Sequence, residues 1–171
     1  MMQEDPRFVH GGNVYEPTAG GEPWLDFSAN INPLGLSPRV QEAILAHIED
    51  TIHYPDPKMR ELRAALSAYY DRAPSDFILG NGAAELFYLY AFVMRPKRVL
   101  LPVPAFSEYE RAAHAAGAAV SYSPLEERAG FEPDLIFLAE EAQRVQADCI
   151  VLGNPNNPTG TLLSLIHISE P

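Results

Sequence analysis

The residues with the clearest chemical signature lie in a loop near the end of the chain. Residues 154–160 of this loop read NPNNPTG. A residue before proline is biased away from the helical conformation, so Asn154 and Asn157 hold the loop extended and leave side-chain amides available to a ligand. An Asn-Pro bond in such a loop can also be cis. A generic polar turn rarely has this order of residues, so we interpret the segment as a ligand-binding loop.

A second candidate loop precedes it, and its residues 80–85 read GNGAAE. Two glycines let the backbone approach a ligand, and the free N–H groups at a helix start favour an anion such as a phosphate. A dinucleotide site is one alternative, but Glu85 stands at the third glycine position and residues 100–104 offer no acid for a ribose. A plain glycine-rich turn is the other alternative.

A third candidate loop, with the sequence PVPAFS at residues 102–107, follows another short apolar run. The two prolines fix its course and bring Phe106 to the same edge of the predicted sheet. Its ring can stack on a flat heterocycle. It can equally pack in the core, and the loop alone leaves both interpretations open. Ser107 is predicted to cap the helix that follows.

The elements that position these loops are predicted from hydrophobic spacing. Residues 1–35 show no periodicity and are predicted to form an extended arm. Ser37 and Pro38 begin a helix to about Asp50, and a second amphipathic helix runs from Met59 to about Asp71. Beyond it, short apolar runs alternate with helix-compatible stretches. The runs are residues 77–79, 99–103, 118–122 and 149–152, and the stretches are residues 83–94, 107–116 and 134–146.

This alternation predicts an α/β fold with a mostly parallel sheet flanked by helices, preceded by the arm and the two helices. In such sheets, ligands bind beyond the carboxyl ends of the strands. The three loops all follow predicted strands, and we therefore expect them to share one site.

Composition limits the classes of partner. The chain has 171 residues, of which 47% are hydrophobic, and this indicates one globular domain or part of a larger one. A net charge of −11 opposes binding to nucleic acid. Cys149 is the only cysteine, which fits a reducing compartment. The start lacks the pattern of a signal peptide, and the apolar run at residues 86–94 is too short to span a bilayer. We expect a cytoplasmic protein with no membrane partner and no metal site.

The NPNNPTG loop resembles the signature loop of class I/II aminotransferases and their relatives, and the other two loops fall at the matching upstream places. The resemblance implies the N-terminal half of a fold-type I transferase that depends on pyridoxal 5'-phosphate (PLP). It implies that Asn157 donates a hydrogen bond to the phenolic oxygen of PLP and that Phe106 stacks on its pyridine ring. By the same resemblance, backbone N–H groups of Gly82, Ala83 and Ala84 hold the cofactor phosphate.

Three upstream motifs narrow the resemblance to threonine-phosphate decarboxylases of cobalamin biosynthesis. They are HGGN at residues 10–13, DFSANINPLG at residues 26–35 and YPDP at residues 54–57. The similarity runs from about His10 to Ser164. Histidinol-phosphate aminotransferases share the Tyr54 and Asn157 loops, but they usually carry an acidic residue where Ile31 stands and lack the His10 motif. We favour the decarboxylase and keep the aminotransferase as the alternative.

The implied reaction converts L-threonine O-3-phosphate to (R)-1-amino-2-propanol O-2-phosphate with release of CO₂. By resemblance, His10 and Gly11 contact the substrate phosphate, and Asn32 lies beside the bound amino acid. Tyr54 reaches the cofactor phosphate of the partner subunit in a homodimer. The alternative for His10 is an exposed residue of a loose arm, and the alternative for Tyr54 is an aromatic residue packed between the two helices.

In the family, the Schiff-base lysine, the aspartate that pairs with the pyridine nitrogen and the substrate-binding arginines follow the Asn157 loop. Lys58 and Lys97 are the only lysines here, and neither is expected to reach the cofactor. We therefore expect no catalytic residue in this chain and an inactive fragment. The expected organisation is an arm at residues 1–35, a helical segment at 36–72, a partial PLP-binding large domain at 73–164 and a non-native tail at 165–171.

Overall fold

The computed structural model describes residues 11–12 and 14–163. The His10 position and the expected tail at 165–171 lie outside these residues. The chain divides into two compact units. The described residues up to Ile78 form one, here the arm unit, and those from Leu79 onward form the other, here the sheet unit.

The arm unit contains two α-helices, α1 (Pro38–Ala46) and α2 (Arg60–Tyr70). A 3₁₀ segment at Ile48–Ile52 lies between them, and another at Pro74–Asp76 follows α2. Residues 14–36 form neither helix nor strand. The two predicted helices are thus confirmed, but the first ends four residues before Asp50. The reason is a bend at His47, whose amide donates to the carbonyls of both Ala43 and Ile44, after which the chain tightens into the 3₁₀ segment.

The start of α2 is fixed by an acid in the YPDP loop. Asp56 accepts hydrogen bonds from the backbone amides of Lys58 at 3.1 Å and Arg60 at 2.9 Å, and from the Arg60 Nε at 2.9 Å. The hydrogen bond from the Arg60 side chain is the main reason that the pKa of Asp56 lies well below its usual value. The loop that carries Tyr54 is therefore tied to the first turn of α2.

The sheet unit is built around three parallel strands. In chain order it contains α3 (Gly82–Met94), β1 (Arg98–Val103), α4 (Ser107–Ala115), β2 (Ala119–Pro124), α5 (Leu135–Arg144) and β3 (Cys149–Ile150). The strand order is β2-β1-β3, and both pairs are parallel. Val99 pairs with Val120 on one side and with Cys149 on the other. The α/β fold with a parallel sheet is confirmed.

The core lies on the central strand. Leu100 is fully buried, and Val99 and Leu101 are buried beside it. A run of buried apolar residues is typical of a parallel strand that is covered on both faces. Helix α4 contributes the small residues Ala112 and Ala113 to this core. Small side chains let α4 lie close to the sheet, which places the residues at its start beside the end of β1.

Two predictions differ from the structure, one at residues 77–79, where the chain passes from the arm unit to the sheet unit, and one in the sheet unit. Residues 77–79 were predicted as a strand but form none, because no strand of the described chain runs beside them to complete their hydrogen bonds. Ser107 is not a helix cap. Phe106 is the N-cap of α4, and Ser107 is its first helical residue. By contrast, Asp134 caps α5, accepting hydrogen bonds from the amides of Ile136 at 2.9 Å and Phe137 at 3.0 Å.

The three helices predicted in this unit, at residues 83–94, 107–116 and 134–146, are confirmed to within two residues at each end. Over the residues that the structure describes, none of the helices is long and apolar enough to cross a membrane.

Asp148 joins the amino ends of β1 and β3, and it makes the stability of the unit depend on pH. Its carboxylate accepts hydrogen bonds from the amides of Lys97 at 2.9 Å and Arg98 at 2.9 Å. These hydrogen bonds, that from Arg98 first, hold its pKa below the usual value. A carboxyl group whose pKa is lower in the folded than in the unfolded state stabilises the fold above its unfolded pKa, and the benefit disappears as the pH falls.

We therefore expect Asp148→Asn to lower the free energy of unfolding at pH 7. The difference from the unaltered protein should shrink as the pH falls below about 4. Urea denaturation at a series of pH values measures this difference. Glu140→Gln, which changes an exposed carboxylate on α5, is the control and should show no such convergence. An Asp148→Asn deficit that stays constant from pH 7 to pH 3 would contradict the proposed clamp.

Candidate functional site

Two of the three loops leave the sheet at one edge. Because β1 and β3 are neighbouring parallel strands, their carboxyl ends lie side by side. The segment at residues 104–106 follows β1, and the long loop at residues 151–163 follows β3. Lys97 lies directly before β1, at the opposite end of the strand. The sheet therefore brings the Phe106 and Asn157 loops together and keeps Lys97 away from them.

The Asn157 loop is closed by Asn154. The Asn154 side chain accepts a hydrogen bond from the amide of Leu163 at 2.9 Å and donates to the carbonyl of Leu163 at 3.3 Å. The Asn154–Pro155 and Asn157–Pro158 peptide bonds are both cis, as the sequence suggested, and so is Val103–Pro104 in the neighbouring loop. Asn154 thus fixes the two ends of the loop to each other.

Asn156 ties the same loop to its neighbour. Its side-chain Nδ2 donates to the carbonyl of Pro104 at 3.0 Å and to the Thr159 hydroxyl at 2.9 Å. Its backbone amide donates to the carbonyl of Thr161 at 2.8 Å, and its carbonyl accepts from Gly160 at 2.8 Å. One of these hydrogen bonds joins the two loops, and the other three fix Asn156 within its own loop.

Asn157 differs from both of its neighbours. It is half-buried, yet its side-chain amide makes no hydrogen bond with any residue that the structure describes. No fully buried side-chain polar atom of the described residues lacks a partner, so the unpaired Asn157 amide is one that solvent or a ligand can reach. In a loop where the other two asparagines serve the fold, Asn157 is the one with a donor left for a ligand.

Phe106 lies in an aromatic cluster with residues of α3 and α4. Its ring centroid is 5.7 Å from that of Tyr109 and 6.5 Å from that of Phe87, and both pairs meet edge to face. Phe87 and Tyr109 also meet edge to face at 4.7 Å. Burial raises the pKa of Tyr109. Phe106 itself is only half-buried, so it packs against the cluster and still exposes part of its ring.

The glycine-rich loop opens α3. Gly82 has a φ of +82°, a conformation that favours glycine, and a Cβ added there would meet no heavy atom within 4 Å. The Gly82 amide donates to the carbonyl of Gly80 at 2.9 Å. The amides of Ala83 and Ala84 donate to no described residue, as is usual in the first turn of a helix. An open cradle with two free N–H groups at a helix N-terminus fits a phosphate group.

Glu85 satisfies both donors of Asn81, the N-cap residue of α3. Its Oε2 accepts hydrogen bonds from the backbone amide of Asn81 and from the Asn81 Nδ2, the latter at 3.2 Å. The carboxylate is thus folded back onto the residue before the helix, in the manner of a capping box. This explains why an acidic residue occupies the position where a dinucleotide-binding loop has its third glycine.

Three residues predicted for the site belong to the arm unit. Tyr54 is 99% exposed, so it does not pack between the two helices of its own unit. Asn32 forms a local turn, accepting from the amide of Leu34 at 3.0 Å and donating to the carbonyl of Gly35 at 3.3 Å. Gly11 packs so closely on Ser28 that a Cβ would lie 1.9 Å from the Ser28 carbonyl oxygen.

Reasoning from the sequence did not single out Asn156 or Tyr109. The signal for Tyr109 was present, since it follows Phe106 by three residues, a spacing that places two residues on one side of a helix. No comparable signal separated Asn156 from Asn157, because both are asparagines in one extended loop. Only the contact with Pro104 distinguishes them.

The sequence matches the family model described as Aminotransferase class I and II over residues 22–170. A protein of Caldanaerobacter subterraneus provisionally named threonine-phosphate decarboxylase is 42% identical over 153 residues, which cover 90% of this chain and 40% of that protein. The histidinol-phosphate aminotransferase of Symbiobacterium thermophilum is 40% identical over 142 residues, which cover 82% of this chain and 38% of that enzyme.

Among solved structures, the histidinol-phosphate aminotransferase from Clostridium acetobutylicum superimposes with a TM-score of 0.69 at 32% identity. The match covers 82% of this chain and 41% of that one. The chain therefore spans about 40% of the length of the relatives that it matches.

Proposed function

The chain belongs to the Aminotransferase class I and II family, and from that premise we propose that it forms part of the cofactor site of a PLP-dependent threonine-phosphate decarboxylase. The expected cofactor is confirmed at the level of the family, whose enzymes depend on PLP. The fold expected from the sequence, the N-terminal part of a fold-type I transferase, is confirmed as well.

The observation that carries the cofactor assignment is the free amide of Asn157 beside two asparagines that serve the fold. Asn157 would donate to the phenolic oxygen of PLP, and Phe106 would lie against its ring. The amides of Ala83 and Ala84, with the cradle at Gly82, would hold the phosphate. When bound, PLP supplies a ring that accepts the electrons released as a bond at the α-carbon of an amino acid breaks.

The residues of this chain would fix the position of the ring, and the contacts to the substrate would decide which bond breaks. Gly11 and Asn32, with His10, would contact the phosphorylated substrate, and Tyr54 would reach the cofactor phosphate of a partner subunit. Support for the decarboxylase comes from the relative at 42% identity and from the motifs at residues 10–13, 26–35 and 54–57.

Histidinol-phosphate aminotransferase is the second candidate, because an enzyme of that name is 40% identical over a similar stretch. The two reactions have different products. Decarboxylation of L-threonine O-3-phosphate releases CO₂ and needs no acceptor, whereas transamination moves the amino group to 2-oxoglutarate and forms glutamate.

The deciding experiment uses the full-length gene product that carries this sequence, loaded with PLP. It is incubated separately with L-threonine O-3-phosphate and with L-histidinol phosphate plus 2-oxoglutarate, and CO₂ and glutamate are measured. Release of CO₂ from the first substrate alone supports the decarboxylase. Glutamate formation from the second alone refutes it and establishes the aminotransferase, and the absence of both products refutes both assignments.

We also propose that the enzyme is a cytoplasmic homodimer. The reach of Tyr54 to a partner subunit requires a dimer, and a single cysteine fits a reducing compartment. Light scattering on the full-length gene product tests for the dimer. A monomer would leave Tyr54 without the phosphate that it is proposed to contact.

A further inference from the structure

Asn156 is the point at which two of the proposed cofactor loops meet. The Asn156 Nδ2 to Pro104 carbonyl hydrogen bond, at 3.0 Å, spans 52 positions in the sequence. Pro104 is two residues before Phe106, and Asn156 is directly before Asn157. A single side-chain amide therefore connects the backbone that carries the Phe106 ring to the backbone that carries the Asn157 amide.

The surroundings of Asn156 leave it little freedom. At Gly153, a Cβ would lie 3.0 Å from the Asn156 Oδ1 and 3.4 Å from the Tyr109 hydroxyl. Gly153 thus lets the Asn156 side chain and the Tyr109 ring approach the loop backbone together. Tyr109 packs in turn on Phe106. The Asn156 hydrogen bond is therefore the direct link between the two loops, and the Tyr109 hydroxyl lies beside it at Gly153.

We propose that Asn156 is a positioning residue that holds the Phe106 ring and the Asn157 amide in a fixed relation, so that both can engage one PLP ring at once. The proposal rests on the proposed function. It assigns Asn156 no contact with the cofactor. Asn156 acts on Phe106 through the hydrogen bond to the Pro104 carbonyl, and on Asn157 through the peptide bond that joins the two residues.

The test compares Asn156→Asp with Asn154→Asp in the full-length gene product. Both changes replace an amide N–H donor by a carboxylate oxygen of the same shape. In Asn156→Asp, the new oxygen faces the Pro104 carbonyl and repels it. In Asn154→Asp, the lost bond is that to the Leu163 carbonyl, which lies within the same loop. Asn154→Asp therefore disturbs the Asn157 loop alone, whereas Asn156→Asp also breaks the hydrogen bond that joins this loop to the Phe106 loop.

The first measurement needs no cofactor. The apo protein is labelled with 4-fluorophenylalanine, the Phe106 resonance is assigned with Phe106→Leu, and its ¹⁹F chemical shift is compared among the variants. The second is the dissociation constant of PLP. We expect Asn156→Asp to move the Phe106 resonance and to weaken PLP binding by about threefold to tenfold, the range for one hydrogen bond. Asn154→Asp should leave the Phe106 resonance in place.

Asn156→Leu provides a second route if Asn156→Asp fails to fold, because it removes the Nδ2 donor to the Pro104 carbonyl with a side chain of similar size and no charge. A Phe106 resonance that is unchanged in these variants overturns the proposal. A Phe106 resonance that moves while the dissociation constant of PLP stays unaltered also overturns the proposal, because the hydrogen bond between the loops would then have no effect on the cofactor. If the unaltered protein binds no PLP, the proposed function fails, and the link between the loops is decided by the Phe106 resonance alone.

Discussion

Asn157→Leu is expected to weaken PLP binding by the full-length gene product by about tenfold to hundredfold, the range for a hydrogen bond to a charged group. The structure gives the physical reason. The Asn157 amide makes no hydrogen bond with a described residue, so it has a donor available for the cofactor oxygen. Titration of the apo protein with PLP, followed by absorbance, measures the dissociation constant.

The absence of a described hydrogen bond at Asn157 also predicts that the stability of the apo protein should not change. Because Asn157 contributes no described hydrogen bond to the fold, its replacement by leucine should leave the thermal midpoint of the apo protein nearly unaltered. Gln143→Leu, which removes an exposed amide from α5, serves as the control and should affect neither quantity. PLP affinity within twofold of the unaltered protein would remove Asn157 from the site.

The asparagine loop at residues 154–160 shows which features of the site local sequence can predict. The order NPNNPTG was sufficient to predict a ligand-binding loop, because proline restricts the backbone locally. It was not sufficient to predict which asparagine stabilises the loop and which is available to a ligand. Asn154 bonds to Leu163, nine residues away, and Asn156 to Pro104, 52 residues away. The partner of Asn154 lies in the same loop, but that of Asn156 depends on the pairing of β1 with β3, which local sequence does not encode.

The secondary structure shows the same limit: local sequence predicts the helices, but strands also depend on distant partners. Helices α3, α4 and α5 were predictable because each is an uninterrupted helix-compatible stretch between short apolar runs. Residues 77–79 have a composition typical of a strand, but a strand exists only where another lies beside it to share hydrogen bonds. Among the described residues no such neighbour is present, so the segment is extended without pairing. Strand prediction therefore failed where the described chain supplies no pairing partner.

At Phe106 the structure confirms packing, whereas stacking on a ligand stays a prediction. The sequence leaves core packing and ligand stacking open as alternatives. In the structure, the ring of this half-buried residue packs edge to face on Tyr109. Packing of this kind orients the ring in advance. An oriented ring loses less conformational entropy when a ligand stacks on it than a mobile one does.

Gly82→Ala and Gly117→Ala form a matched pair that tests the phosphate cradle. The φ angle is +82° at Gly82 and +83° at Gly117, and a Cβ at either position meets no atom within 4 Å. Both substitutions therefore carry the same strain, about 1–2 kcal/mol of unfolding free energy, the cost of placing an L-residue in the left-handed region. Gly117 lies between α4 and β2, away from the three loops.

Only Gly82→Ala should also weaken PLP binding, by about tenfold or more, because relief of its strain rotates the peptide that leads into the free amides of Ala83 and Ala84. Urea denaturation measures the shared loss of stability, and PLP titration measures the separate effect on the cofactor. Inorganic phosphate should compete with PLP in the unaltered protein and in Gly117→Ala. Equal PLP affinity in the two variants would mean that the start of α3 is an ordinary helix N-terminus and that the cofactor phosphate is held elsewhere.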